Sequence, residues 1–197
     1  MRPQNISHWP TRGWYLGIAV AALLAGHIGC GGEQQTASTE EIERAQAIVK
    51  VFKKELMTAL KEGLREGPDY AIGACRTKAH EISSDLSGRG ITVGRTSHRL
   101  RNPKNAPEPW VEPLLAFYLE NDDGSAYRTV RLADNSVGYV EPIYTQALCI
   151  ACHGENIRES IVKRLDRFYP EDKARGFKAG ELRGLFWIRL ESQSTEK

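Results

Sequence analysis

An α+β fold is predicted, with helices first and an antiparallel sheet after them, from three features of the chain. Apolar residues recur at spacings of three and four from Ile42 to Leu86. Two strand-like runs lie between Tyr127 and Tyr144, and Leu182 to Leu190 (LRGLFWIRL) is rich in large apolar residues. At 197 residues the chain is long enough for one ordinary globular domain. Its 41% hydrophobic content, its formal net charge of +2 and the lack of a Gly-X-Y or heptad period exclude disorder and fibrous repeats.

The first thirty residues read as an address. Arg2 and Arg12 precede an apolar run from Trp14 through Gly26, which ends in Gly29-Cys30-Gly31-Gly32. That is the order of an export signal, and the run is shorter than the roughly 20 apolar residues of a spanning helix. It resembles a bacterial lipoprotein signal, which would make Cys30 the lipidated residue, although His27 stands where such signals usually carry Leu. Cleavage by an ordinary signal peptidase and retention as an uncleaved tether are the other readings. The expectation is an exported protein on the periplasmic or cell-surface side, attached to the membrane through a lipid on Cys30 or through the N-terminal segment. Removing residues 1–29 leaves 25 basic against 25 acidic side chains, so the weak basicity belongs to the signal and gives no argument for nucleic acid. The expected organisation is a signal over residues 1–29, a polar linker over 30–39, one domain over 40–192 and a polar tail over 193–197.

Within the domain, Ser38 and Glu41 form a capping box. Ile42, Ala45, Val49, Phe52, Leu56, Leu60 and Leu64 then give a long amphipathic helix that Gly67-Pro68 ends. Asp69 can cap a second helix with the stripe Ile72, Cys75, Ala79, Ile82 and Leu86, which places Cys75 on the buried face. Gly88 and Gly90 stop it. A short strand, Ile91-Thr92-Val93, leads into a basic stretch in which Arg95, Arg99 and Arg101 fall on one side by strand alternation, and Pro103, Pro107 and Pro109 enforce a loop. A short helix follows around Trp110, Leu114, Phe117 and Tyr118, with Pro113 early in it. The runs Tyr127 to Leu132 and Val137 to Tyr144, joined by Ala133-Asp134-Asn135-Ser136, read as a hairpin. Residues 156–168 read as a helix and Leu182 to Leu190 as a buried strand.

Four cysteines, at 30, 75, 149 and 152, are too few and too unevenly placed for a disulfide framework. Cys149-Ile150-Ala151-Cys152-His153 is the attachment signature of a c-type haem. On one helical turn its two thiols reach the two vinyl groups of a porphyrin, and the adjacent imidazole becomes the proximal iron ligand. Covalent attachment also needs an exported protein, which the N-terminus supplies independently. Two other readings are weaker. A zinc site would have to borrow Cys75 and His98 or His153 from segments without partner spacing, and a thioredoxin-like dithiol leaves His153 unexplained.

Several blocks carry a family resemblance: Gly94-Arg95-Thr96-Ser97, Leu100-Arg101-Asn102-Pro103, Asn105-Ala106-Pro107, Cys149 to Gly154, Tyr169-Pro170 and Gly180-Glu181-Leu182-Arg183-Gly184. In this order they resemble the bacterial single-haem c-type cytochrome domain with a PAS-like fold, long catalogued as a domain of unknown function. The match spans about residues 42–191. The resemblance implies a PAS-like antiparallel sheet flanked by helices, with one covalent haem c in a pocket; His98 departs from its pattern.

With Cys30 assigned to a lipid and Cys149 and Cys152 to thioethers, Cys75 is the remaining thiol. As a soft ligand it could bind ferric iron opposite His153, and the resemblance supports this distal role, since members carry a cysteine in the matching helix. The alternative is a small buried hydrophobe. Arg95, Arg99 and Arg101 are candidate contacts for the haem propionates, because a guanidinium fork matches a carboxylate. Met57, Trp110, Phe117 and Trp187 read as core, and His80 and His98 as solvated or hydrogen-bonded. The function expected is membrane-tethered electron transfer, with a redox partner protein. The alternative is a haem-based redox or gas sensor acting through a partner. An enzyme would need a vacant coordination site and a substrate pocket, and no catalytic residue is assigned.

Overall fold

In the computed structural model, which describes residues 36–121 and 123–192, helix α1 (Thr39–Glu66) opens the domain. The capping box is present. Ser38 Oγ accepts from the Glu41 N–H at 3.2 Å and the Glu41 carboxylate accepts from the Ser38 N–H at 2.7 Å. Residues 1–29, the candidate lipidation residue Cys30 and the tail 193–197 lie outside the described residues. Residues just before the helix already belong to the fold, since Ala37 packs on the core and Arg131 donates to the Thr36 carbonyl. Among the described residues, no helix is long and apolar enough to cross a membrane.

The second helical segment departs from expectation. It begins at Pro68, where a proline needs no N–H partner, and it comes in three pieces: α2 (Pro68–Gly73), a π-helical turn (Ala74–Lys78) and α3 (Ala79–Leu86). Ile72, Ala79 and Ile82 are buried as the stripe requires. Cys75 is only half-buried, because the wider π turn breaks the helical phase that would align it with them.

Strand β1 (Ile91–Thr96) runs further than the three residues expected, taking in Gly94 and Arg95. The chain leaves the sheet at Ser97, so Arg99 and Arg101 share no strand face with Arg95. Helix α4 (Glu112–Glu120) carries its proline in the first turn. The hairpin is β2 (Arg128–Arg131) and β3 (Val137–Tyr144), and β4 (Leu182–Leu190) matches its predicted bounds. Between them lie α5 (Ile150–His153) and α6 (Glu159–Phe168).

All four strands form one antiparallel sheet in the order β1-β4-β3-β2, with Val93 opposite Ile188 and Tyr139 opposite Ile188 on the other side. This central position explains why β4 is apolar and buried from Leu185 to Ile188. Phe186, Ile188 and Leu190 join Ala45, Val49 and Phe52 of α1, whereas the alternate residues Leu185 and Trp187 join Val111, Leu115 and Tyr118 around α4. The α4 side needs two glycines. A Cβ on Gly94 would stand 2.2 Å from Trp187 Cζ2, and one on Gly138 2.6 Å from Trp110 Cζ3. Their absence lets the two indoles meet edge to face at 6.0 Å. Trp110 and Phe117 are partly buried against this cluster, in keeping with a core role.

Candidate functional site

A third apolar cluster, Ile72, Ile161, Leu165 and Tyr169, underlies the site and packs against Cys152. The motif itself begins in a 3-10 turn (Ala147–Cys149), and α5 then carries Ile150 to His153. The two thiols therefore sit on consecutive short turns, unpaired and half-buried, as does Cys75. Among the described residues, no three His, Cys, Asp or Glu side chains group as a metal cage.

The motif is held by an irregular strap over residues 172–177. The Lys173 N–H donates to the Leu100 carbonyl (2.8 Å), the Gly176 N–H to the Gly154 carbonyl (2.9 Å) and the Phe177 N–H to the His153 carbonyl (2.9 Å). His153 Nδ1 lies 2.8 Å from the Ala174 carbonyl oxygen. That oxygen can only accept, so Nδ1 carries the proton and Nε2 the lone pair. Burial keeps the imidazole neutral, its pKa well below the ordinary value, and the nearby Arg183 and Arg101 push the same way.

The three predicted arginines part company here. Arg99 spends Nη1 on the Arg175 and Gly176 carbonyls (2.9 and 3.3 Å), and its guanidinium lies 3.7 Å from the Phe177 ring centroid. Arg101 pairs with buried Asp172. Arg95 Nη2 donates to the carbonyl of Cys75 (3.1 Å), which ties β1 to the π turn. Burial pushes the Asp172 carboxyl up, but hydrogen bonds and charge from Arg175 and Arg101 outweigh it and hold the pKa below its ordinary value. His98 is exposed, ring edge against Phe177, and lies near Arg99 and Arg183; His80 is exposed and Met57 half-buried.

Sequence patterning gives Arg183 no individual role beyond its place in the Gly180–Gly184 block. Its Nη1 donates to Ser97 Oγ at 2.7 Å, and among the described residues no carboxylate lies within salt-bridge distance of it. Burial lowers its pKa to about 9, with Arg101 and Arg95 pushing the same way, so it stays cationic at neutral pH. The signal that could have found it is an arginine near the start of a largely apolar central strand, a poor place for a cation unless an anion meets it.

The class these features define is an α+β domain with a CxxCH turn buttressed by arginines. Residues 33–190 match the model of the Tll0287-like family, and the chain belongs to that family. A solved structure described as the crystal structure of the cyanobacterial heme-protein Tll0287 is similar, with 21% sequence identity and a TM-score of 0.60. The match covers 79% of this chain and 98% of that one, and it shows a shared fold. No curated protein matches.

Proposed function

We infer that the protein is an exported haem c protein that carries electrons, with one haem bound covalently through Cys149 and Cys152 and its iron held by His153. The observation that carries this reading is the His153 hydrogen bond. A buried imidazole whose Nδ1–H is fixed on a carbonyl, with Nε2 bearing the lone pair, is prepared as a metal ligand. Among the described residues too few donors group together for a tetrahedral zinc cage, whereas a porphyrin brings four nitrogens of its own and asks less of the protein. The similar solved structure is named as a heme protein, which supports the same reading.

When bound, haem would supply one-electron redox chemistry; the chain's residues bind it, orient it and set its surroundings. Cys149 and Cys152 would anchor it and His153 would be the proximal ligand. Cys75, half-buried on the π turn and linked by its carbonyl to Arg95, would be the distal one. Arg95, which gives Nη2 to the Cys75 carbonyl, and Arg183, which gives Nη1 to Ser97, suit the propionates better than Arg99 or Arg101, which are tied more fully to strap carbonyls, the Cys152 carbonyl and Asp172. The PAS-like description of the fold is part of this reading, supported by a four-stranded antiparallel sheet whose first strand pairs with its last. So is attachment to the membrane through Cys30.

The test is maturation in a host with c-type ligation machinery, followed by a denaturing gel stained for haem. Wild type should carry haem through denaturation, and Cys149→Ser with Cys152→Ser should not. A haem-free wild type sinks the reading. Cys75→Ala should change the ferric electron paramagnetic resonance spectrum, and the same preparation tests carbon monoxide: binding with a change of conformation would favour a sensor over a carrier.

A further inference from the structure

We propose that Asp172 is the positioning residue for His153, acting through Arg101 and through both backbone groups of Ala174. This rests on the haem reading above and adds a second layer to it. The Asp172 side chain is 1% exposed and that of Arg101 10%. Three donors converge on the carboxylate: Arg101 Nε (3.1 Å) and the Ala174 N–H (2.9 Å) on Oδ1, and Arg175 Nε (2.9 Å) on Oδ2. Arg101 then turns its Nη2 to the Cys152 carbonyl (2.5 Å) and to the Ala174 carbonyl (3.2 Å). The Ala174 oxygen is the one that receives His153 Nδ1–H.

Two consequences follow from this geometry. Ala174 is gripped at its N–H by Asp172 and at its carbonyl by Arg101, so the acceptor that sets the imidazole plane has little room to move. Arg101 also ties that acceptor to the backbone of Cys152, the residue before the histidine, so anchor and ligand are fixed in one unit. The second consequence is electrostatic. Arg101 Nη1 lies 3.5 Å from His153 Nε2 and, with the proton on Nδ1, donates to the lone pair that iron would take. Asp172 neutralises that guanidinium in a site where charge is weakly screened. Without it, a full positive charge would stand beside the ligand and disfavour ferric iron.

The experiment uses haem-loaded protein and two readouts, the midpoint potential and the solvent exchange of the hyperfine-shifted His153 Nδ1–H proton resonance. Asp172→Asn should shift the ferric–ferrous equilibrium toward ferrous by about threefold or more, roughly 28 mV at 59 mV per decade for one electron. It should also speed exchange of Nδ1–H. Asp166→Asn, which removes only the outer partner of Arg175, should leave both readouts at wild-type values, and Asp172→Glu should recover at least half of each effect. Wild-type potential and exchange in loaded Asp172→Asn would overturn the proposal. If that variant does not accumulate, Arg101→Lys carries the test, because a lysine cannot hold Asp172 and the Cys152 and Ala174 carbonyls together, and wild-type exchange of Nδ1–H in it overturns the proposal equally. Failure of the parent reading is distinguishable, because it shows as wild type without covalent haem before any variant is compared.

Discussion

Around Ala45, Val49, Phe52, Val137 and Ile188 the domain is dry and fully buried, and its order comes from close packing between α1 and the sheet. Around His153 the backbone is irregular, and the ties are individual hydrogen bonds: the backbone bonds of the 172–177 strap, and side chain to carbonyl bonds from Arg101 to Cys152 and Ala174, Arg99 to Arg175 and Gly176, and Arg95 to Cys75. The first region spreads its stability over many weak apolar contacts. The second depends on a few directional bonds, each with one acceptor. Packing holds a shape, whereas directional bonds hold an atom in place, and a ligand imidazole needs the latter.

The largest effect expected from breaking this contrast lies in the dry half. Phe52 is fully buried with its ring edge to face with Phe186 at 5.2 Å. Phe52→Ala should cost about 3–5 kcal/mol in urea unfolding, from lost transfer energy and the cavity left behind. The His153 environment should not respond while the protein stays folded. A loss below about 1 kcal/mol would mean that the α1–sheet cluster is not what holds this half together.

Arg183 should behave in the opposite way. Arg183→Met removes a half-buried cation that, among the described residues, has no carboxylate at salt-bridge distance, and a well-packed apolar replacement of such a charge is often neutral or stabilising. Unfolding stability of the haem-free chain should hold, or rise by about 1 kcal/mol, while the yield of covalent haem falls. A stability loss above about 2 kcal/mol with unchanged haem yield would make Arg183 a structural residue like Phe52, and the contrast between the halves would weaken.

The same division explains what the sequence could disclose. The capping box at Ser38 and Glu41, the hairpin through Asp134 and the apolar run of β4 are local signals, readable within a few residues, and the structure has all three. The CxxCH motif is local too. Asp172, Arg183 and the strap carry no periodicity, and their partners lie far away: Arg101 is 71 residues from Asp172 and Arg183 is 86 from Ser97. Strand alternation misjudged Arg99 and Arg101 because β1 ends at Thr96. The π turn escaped for a related reason, since one extra residue in a helical turn leaves no mark in composition and shows only as Cys75 falling out of phase with Ile72 and Ala79.

The smallest effect belongs to Glu41, at the edge of the dry half. Its two carboxylate oxygens each accept from Arg131 at 3.0 Å, and Oε2 also accepts from the Ser38 N–H. The Arg131 hydrogen bonds hold its pKa below 4.5, against burial that raises it, and the Ser38 bonds add to the lowering. A carboxyl with a depressed folded pKa binds fewer protons folded than unfolded, so its contribution is complete above 4.5 and is lost as pH falls through the folded value. Because the side chain is 30% exposed and the pair screened, Glu41→Gln should cost less than about 1 kcal/mol near pH 7. Gln keeps the hydrogen bonds of the cap, so the difference between variant and wild type should shrink steadily below pH 4.5 and vanish once Glu41 is protonated. A difference that persisted in acid would assign the loss to cap geometry instead of charge. That outcome would give the dry half a directional bond of the kind otherwise concentrated around His153, and the boundary between the two regions would have to be drawn elsewhere.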